Sequence, residues 1–480
     1  MKKPKLTLFL IFLLSFVIFY PSLFNFYTND DFFHLKISEV SSLGGFLNFF
    51  NIFNASQGNA SYRPISTQVF FFIGQFISKI NPIWMHIILF ILFFGIIYLV
   101  YILTKQITKN VKISLLSTFL YAVSSTHFSQ LNFLSSQEIW LTFFALSSIV
   151  LFIKFLEKKK YSFYILSLLT FFLSLLSKES AVVIPFLIIL VYSYLKLAKR
   201  IDFSINKFFK SSVILFLILF FYLYFHFFKY GLQGGESYIW DFSFRIFNTL
   251  FWYLIWSLNF PEMLVDFIGP GLNVNLGPLI YWKNYLLTII ITNIIFGIIF
   301  LFSLINFLKK IGKKEIPFIL FGVGWFIASL LPVLFLPWHK FVYYLALPLV
   351  GITLLISYIA IKSRIKTRFL VILGFLWLIA SVVNVSLSSK TSWITQGAIT
   401  ANKVNIYINS KYGQIKDKKT VLFYDTVKDK DLPWSPSEVV KTTLSDNNFF
   451  QVFFPQITAY YGETDVKNPD KIYSRQFLGY

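Results

Sequence analysis

Apolar side chains in this chain come in long runs broken by short polar connectors, with little strand-like alternation. A helix that crosses a bilayer needs about 20 mostly apolar residues. Runs of about that length lie near 5–21, 82–104, 112–127, 138–156, 161–177, 180–197, 211–229, 284–307, 315–335, 342–361 and 368–387. The pattern predicts an all-α polytopic membrane protein with about eleven transmembrane helices. The first run follows Met-Lys-Lys-Pro-Lys in the manner of a signal peptide. No small-residue cleavage site follows it, so it is expected to be an uncleaved first span.

The connectors set the topology. With Lys2, Lys3 and Lys5 placed inside, alternation puts Lys105–Lys112, Lys158–Lys160, Lys196–Lys210, Lys309–Lys314 and Lys362–Arg368 on the same face. Basic connectors gathered on one face are what the positive-inside rule requires. Two long loops, about 22–81 and 230–283, then lie outside. Each holds an apolar stretch, near Tyr62–Ile77 and Phe244–Leu258. If Phe244–Leu258 crossed, Lys309–Lys314 would move outside, so both stretches are expected to be helices lying in the interface. Residues 1–387 thus form a transmembrane domain. From about 388 to 480 the chain turns polar and mixed in charge. This predicts a small α/β extension outside, with a helix over Trp393–Tyr412 and strands at Thr420–Asp425 and Phe449–Phe454.

Composition reinforces this picture. Hydrophobic residues make up 56% of the 480 and charged residues 13%, against roughly 25% charged in soluble domains. Such a chain cannot clothe a water-facing surface, and the lipid bilayer must be its main solvent. The net charge of +22 follows from the basic inner connectors, so no nucleic-acid partner is implied. There is no cysteine, which excludes disulfides, thiolate nucleophiles and Cys-ligated metals. Richness in Lys, Ile, Asn and Phe points to an AT-rich bacterial genome and hence a bacterial plasma membrane.

Ionisable groups are scarce inside the spans; Lys154, His86 and His226 sit near helix ends. Transporters usually keep such groups at mid-membrane, which directs attention to the outer loops. Asn29-Asp30-Asp31 follows the first span. Two carboxylates at a helix mouth suit a general base and a neighbour that holds an acceptor or a cation; a solvated turn is the bland reading. Arg63, in Tyr62-Arg63-Pro64, is the sole arginine of the first loop and precedes Pro, which favours a helix start. A guanidinium there can grip a lipid phosphate with two N–H groups or simply snorkel to the headgroups. Ser177-Lys178-Glu179-Ser180 is a tight outer turn. Lys178 can meet a phosphate, and Glu179 can orient it or bind a sugar hydroxyl. His127, Gln137 and Glu138 bracket one further outer turn, and His339, Lys340, Tyr343 and Tyr344 bracket another, as substrate contacts or as interfacial anchors. His34 is a weaker candidate. The carboxylates permit a divalent cation but show no spacing that demands one. No nucleotide loop, zinc-protease or serine-hydrolase motif is present.

Together these pieces resemble the GT-C class of membrane glycosyltransferases, in particular its protein O-mannosyltransferase and TMTC-like branches and the bacterial dolichyl-phosphate-mannose-type transferases. The resemblance rests on Asn29-Asp30-Asp31, Tyr62-Arg63-Pro64-Ile65, Ser177-Lys178-Glu179-Ser180 with Pro185, and Trp325 through Leu331-Pro332 with Tyr343-Tyr344 and Pro348. It spans roughly residues 1–350. It implies an inverting transferase that takes a sugar from a polyprenyl-phosphate donor to a hydroxyl of a protein or glycan acceptor, with Asp30 and Asp31 as the catalytic carboxylates. Arg63 and Lys178 would hold the donor phosphate, with Glu179, His127, Glu138, His339, Tyr343 and Tyr344 against the substrates; no cofactor is required. The tail departs from the TMTC pattern, having no tetratricopeptide helices. A lipid-linked glycan flippase, a glycan ligase or polymerase, and a non-catalytic scaffold are the rival readings.

Overall fold

A computed structural model describes residues 4–53, 62–79, 81–231, 237–269, 273–414, 417–432, 434–462 and 466–479. Lys2 and Lys3, used above to orient the chain, lie outside them.

Every apolar run of the sequence is helical. The first half comprises α1 (Pro4–Phe19), α2 (Asp30–Ile37), α3 (Ile65–Ser78, whose first turn is π-helical), α4 (Ile83–Thr108), α5 (Val111–Ala122), α6 (His127–Asn132), α7 (Glu138–Lys158), α8 (Tyr161–Leu175) and α9 (Ile184–Leu197, led in by a 3-10 turn at Glu179–Val183). Then come α10 (Ile205–Lys229), α11 (Arg245–Ser257), α12 (Gly277–Leu308), α13 (Ile316–Leu334), α14 (Leu349–Lys362), α15 (Thr367–Thr391) and α16 (Trp393–Tyr412). Among the described residues, eight helices are long and apolar enough to cross a membrane. The shorter apolar helices α5, α8 and α14 pack among them. The chain is a polytopic all-α membrane protein with a small C-terminal sheet.

The two ends of the bundle differ chemically. At one end, Lys109, Lys159, Lys199 and Arg364 all adopt left-handed φ, between 52° and 58°. They close helices whose last carbonyls lack partners, and a basic side chain there also complements the helix dipole. Lys109 pairs with Glu157 at 2.6 Å, and Arg200 donates to the carbonyl of Ile107. The basic connectors of the sequence are therefore helix-closing turns gathered together. The opposite end carries the acidic pair, Arg63, Lys178 and the tail.

The tail holds three parallel strands, β1 (Lys419–Tyr424), β2 (Ile457–Tyr461) and β3 (Asp470–Tyr473), in the order β2-β1-β3. Parallel neighbours need a crossover, supplied here by α17 (Pro436–Thr443) and α18 (Asn448–Phe453). The strand expected at Phe449–Phe454 is thus a helix. Phe449 and Phe450 are adjacent and both fully buried, which a strand with one wet face does not allow. Strands β2 and β3 were not expected from the sequence. The change of composition near residue 388 falls inside α15.

The tail is seated on α2. Phe32 meets Phe449 edge-on at 5.2 Å, Asn29 N donates to the carbonyl of Thr443 at 2.7 Å, and Lys36 Nζ reaches Asn448 Oδ1 at 3.2 Å. Helix α16 passes so close to Asn29 that a β-carbon on Gly397 would collide with Thr28 Oγ1. Gly397→Val should therefore lower the thermal midpoint in detergent, at an overpacking cost of about 1–3 kcal/mol. An unchanged midpoint would show that α16 moves off α2 freely.

Candidate active site

The acidic pair is divided by the turn that carries it. Asn29 has φ 49° and ψ −122°, a positive-φ turn outside the left-handed helical region. This starts α2 so that its first two side chains diverge. Asp31 is buried, 1% exposed. Its Oδ2 accepts from Thr28 N at 3.0 Å, as in the second half of a capping box. Its Oδ1 accepts from Ser135 N at 2.9 Å and Ser135 Oγ at 2.6 Å. Burial pushes this carboxyl up to about 7, while the donors from Ser135 and Thr28 pull it back. Asp31 pins α2 to the loop between α6 and α7. Asp30 is exposed, and no hydrogen bond holds its carboxylate among the described residues. Solvent reaches it, yet the protein around it removes enough water to raise its pKa above the usual carboxylate value, with Arg63 pulling the other way.

Two motifs far apart in sequence meet beside it. Ile65 N donates to the carbonyl of Leu176 at 3.2 Å, and Ser66 Oγ to that of Ser177 at 2.6 Å. This joins the start of α3 to the α8–α9 turn. Arg63 then grips Glu179 with two parallel bonds, Nε to Oε2 at 2.7 Å and Nη2 to Oε1 at 2.6 Å. Its Nη1 donates to Gln137 Oε1 at 3.1 Å. Burial works against the guanidinium's charge, but Glu179 more than offsets it and holds the pKa above the ordinary arginine value. Lys178 forms a buried ion pair with Glu138 at the start of α7, and its ammonium lies over the Tyr344 ring at 4.7 Å from the centroid. Burial lowers the Lys178 pKa, partly countered by Glu138. The two cations expected to stand ready for a phosphate are thus each balanced by a glutamate, a pairing that residue spacing could not reveal.

Arg63, Lys178, Glu179, Tyr238 and Tyr344 form the polar side of a cavity of about 190 Å³. Its other wall is apolar, built from Leu223 and Phe227 of α10, Trp240, and Val333 and Leu336 at the end of α13. Phe227 and Trp240 are themselves exposed, so the apolar wall continues onto the outer surface of the bundle. A larger cleft of about 480 Å³ between α9 and α10 is lined by apolar residues with Tyr192 and a few serines. It presents no charged group for a headgroup.

Tyr238 is a residue that the sequence reading missed. Burial pushes its hydroxyl up to about 12, with Arg63, Glu179, Asp30 and Glu138 all close enough to act on it. Its ring lies against His339, centroids 3.9 Å apart. His339 Nδ1 is 3.3 Å from Ser237 Oγ, while its buried Nε2 has no hydrogen-bond partner among the described residues. Burial, Lys178 and Arg63 lower its pKa to about 4, so the ring is neutral near pH 7. Tyr343 and Tyr344 both face Lys178.

His127 does not belong to this cluster. It is 1% exposed, its ring nitrogens lie 3.1 Å from Gln130 Oε1 and 2.8 Å from the Tyr121 carbonyl, and Phe93 and Tyr121 flank it. It packs the bundle, and the structure does not bring this candidate substrate contact to the cavity. His34 is likewise buried, with Nδ1 at 2.9 Å from Ser135 Oγ. Among the described residues no three His, Cys, Asp or Glu side chains converge as metal ligands. Both Asp31 oxygens are already taken by donors.

No protein-family model matches the chain, and no curated protein matches it in sequence. Solved structures of the oligosaccharyltransferase of Archaeoglobus fulgidus are similar to it. The complex with Zn and sulfate is 14% identical over 92% of this chain and 61% of that chain, with a TM-score of 0.43. For the apo form the figures are 14%, 91%, 63% and 0.44. For AglB in complex with an inhibitory peptide and a dolichol-phosphate they are 13%, 91%, 63% and 0.41. The chain spans about three fifths of the length of those proteins. No correspondence of residues follows from a likeness of this degree.

Proposed function

We propose that this protein is a membrane glycosyltransferase that moves a sugar from a polyprenyl-phosphate donor to an acceptor hydroxyl at the outer face. The observation that carries this reading is the two-sided cavity. Its head holds Arg63, Lys178 and Tyr238, and its body is a hydrocarbon wall continuous with the lipid-facing surface. A phosphate attached to a long apolar chain has both of these requirements. Asp30, unbonded and within electrostatic reach of Arg63, supplies the base.

The chemistry is a single displacement. The acceptor oxygen attacks the anomeric carbon, Asp30 takes the hydroxyl proton, and the bond to the phosphate oxygen breaks. Configuration inverts, and polyprenyl phosphate leaves with its charge facing Lys178 and Arg63. Donors fixed before reaction stabilise developing charge strongly in a water-poor site. Glu179 and Glu138 hold those two cations in place, Tyr343 and Tyr344 line Lys178, and neutral His339 buttresses Tyr238. The reaction as written consumes no nucleotide. Mannose is the first sugar to try, and a divalent ion is tested by chelation.

The direct assay is release of polyprenyl phosphate from a panel of radiolabelled polyprenyl-phosphate sugars by the detergent-purified protein. Turnover with one sugar, with or without envelope extract as acceptor source, supports the reading; none with any sugar rejects it. A pH dependence is also expected. The base works deprotonated and its pKa is raised, so single-turnover rate should fall as pH drops, with an acid limb above the ~3.9 of a free aspartate. A rate that stays flat down to pH 4 would remove Asp30 from the role.

A further inference from the structure

Beyond the donor cavity, two other cavities at the outer end share one aromatic wall. The first, about 440 Å³, is a groove between α16 and α17, with Asn29 among its lining residues. This lies in the roughly 300–1,000 Å³ range of small-ligand sites. Helix α16 lines it with Trp393, Gln396, Gly397 and Thr400, and α17 with Glu438, Val439, Thr442 and Thr443. Both sets follow the spacing of a single helix face. The second cavity, about 250 Å³, is lined by Glu262, Asp266, Lys340, Phe341 and Ser392. Thr391 and Trp393 belong to both.

Two tryptophans stand at the groove. Trp393 is 41% exposed and Trp434 46%, and both border the groove. The Trp393 indole meets Phe133 edge-on, centroids 5.2 Å apart, and Phe341 at 6.5 Å, and these two rings set its orientation. Around these rings stand carboxylates, an ammonium, an amide and hydroxyls. Glu262 accepts from Val342 N at 2.8 Å, and Lys340 Nζ donates to Asn248 Oδ1 at 3.0 Å, each with further hydrogen-bonding capacity. Flat apolar rings among dense hydroxyl-binding groups match a pyranose, which has one C–H face and a rim of hydroxyls.

The usual modes of peptide capture fit poorly. Strand addition needs an open edge of main-chain groups, but most of the groove's lining lies on α16 and α17, whose backbones bond internally. Capture of an amphipathic helix needs a continuous apolar trough, whereas here the apolar Trp393, Trp434, Val439 and Leu478 are interrupted by Gln396, Thr400, Glu438 and Thr442. We propose that the two cavities joined at Trp393 bind an extended carbohydrate chain, with Trp393 and Trp434 as platforms for its sugar rings. Asn29 carries the groove to the residue next to Asp30. Naming this carbohydrate as the acceptor rests on the transferase reading; its binding does not.

The test uses the full-length protein in a detergent without a sugar headgroup and with no donor present. Tryptophan fluorescence and saturation-transfer NMR are recorded against cellotriose, mannotriose, chitotriose and a Ser/Thr/Asn-rich hexapeptide. Saturable binding of at least one trisaccharide is expected, weakened about tenfold by Trp393→Ala and by Trp434→Ala and kept within about threefold by Trp→Phe at either position. The Phe variants separate loss of the platform from loss of folding. Absence of binding by all three trisaccharides, or equal binding by wild type and the Ala variants, overturns the proposal. Hexapeptide binding that the Ala variants lose assigns the groove to polypeptide instead. Release of polyprenyl phosphate by the wild type is measured separately, so failure of the groove and failure of the transferase reading give different results.

Discussion

Asp30→Asn is expected to lower the rate of sugar transfer by about 10²–10⁴, the usual contribution of a positioned base, with little change in the thermal midpoint. The prediction follows from the contrast between the two carboxylates. Asp30 sits on the first turn of α2 with no hydrogen bond among the described residues, so an isosteric amide there removes proton-accepting ability and disturbs no partner. Asp31 is different, because three donors from Thr28 and Ser135 converge on its oxygens. In Asp31→Asn one of those oxygens becomes an NH2 group facing donors. Leaving buried donors unsatisfied costs about 1–3 kcal/mol each. That variant should lose its rate together with a lowered midpoint, because α2 is no longer pinned to the α6–α7 loop. Single-turnover release of polyprenyl phosphate and a thermal scan on the same preparations separate the two behaviours. If Asp30→Asn keeps its rate within a few-fold of wild type, the base lies elsewhere.

How far the sequence discloses this architecture depends on the length over which each signal acts. Spans such as α4 and α7 are legible because some twenty apolar residues in a row have few other solutions. Their inner turns are legible because Lys109 and Lys159 are both topology signals and helix closers. The motifs around Arg63 and Lys178 could be found separately, each by a charge placed beside a helix end. Their union through Ser66 and the Ser177 carbonyl is a tertiary event with no trace in spacing. The same holds for Glu138, which the sequence singles out as a candidate substrate contact at an outer turn and whose pairing with Lys178 no spacing discloses. Tyr238 was hidden for another reason. It lies in an irregular stretch before α11, where no periodicity marks a direction, and the aromatic pair Tyr238 and Trp240 after a Gly-Gly-Glu-Ser run was the available signal. In the tail, the aromatic run at Phe449–Phe454 read as a strand because phenylalanine favours sheets. Burial of adjacent rings against Phe32 and the sheet overrode that propensity.

The buried pair Lys178–Glu138 offers the other large effect. The side chains are 5% and 3% exposed, so neither charge has water to fall back on. Removing one partner from such a pair typically costs about 3–5 kcal/mol, because the other is left buried and uncompensated. Lys178→Met should therefore depress the thermal midpoint strongly and also abolish donor turnover, since a cation facing the departing phosphate is lost. Lys178→Met combined with Glu138→Gln removes both charges and should recover most of the stability and none of the turnover. That separation distinguishes a functional ammonium from a merely structural one: turnover restored along with folding would show that Lys178 serves only the fold. Glu138→Gln alone adds a check through pH. Burial already lowers the Lys178 pKa in the folded protein, and loss of Glu138 removes the charge that opposes this. The unfolded chain then binds the proton more tightly than the folded one, so stability rises with pH. In Glu138→Gln the midpoint should climb as pH increases from the depressed folded pKa toward the ~10.4 of a free lysine, more steeply than in the double variant, which has no lysine there to titrate. Parallel pH profiles in the two variants would mean that Lys178 draws its stabilisation from Glu179 or the tyrosine rings and not from Glu138.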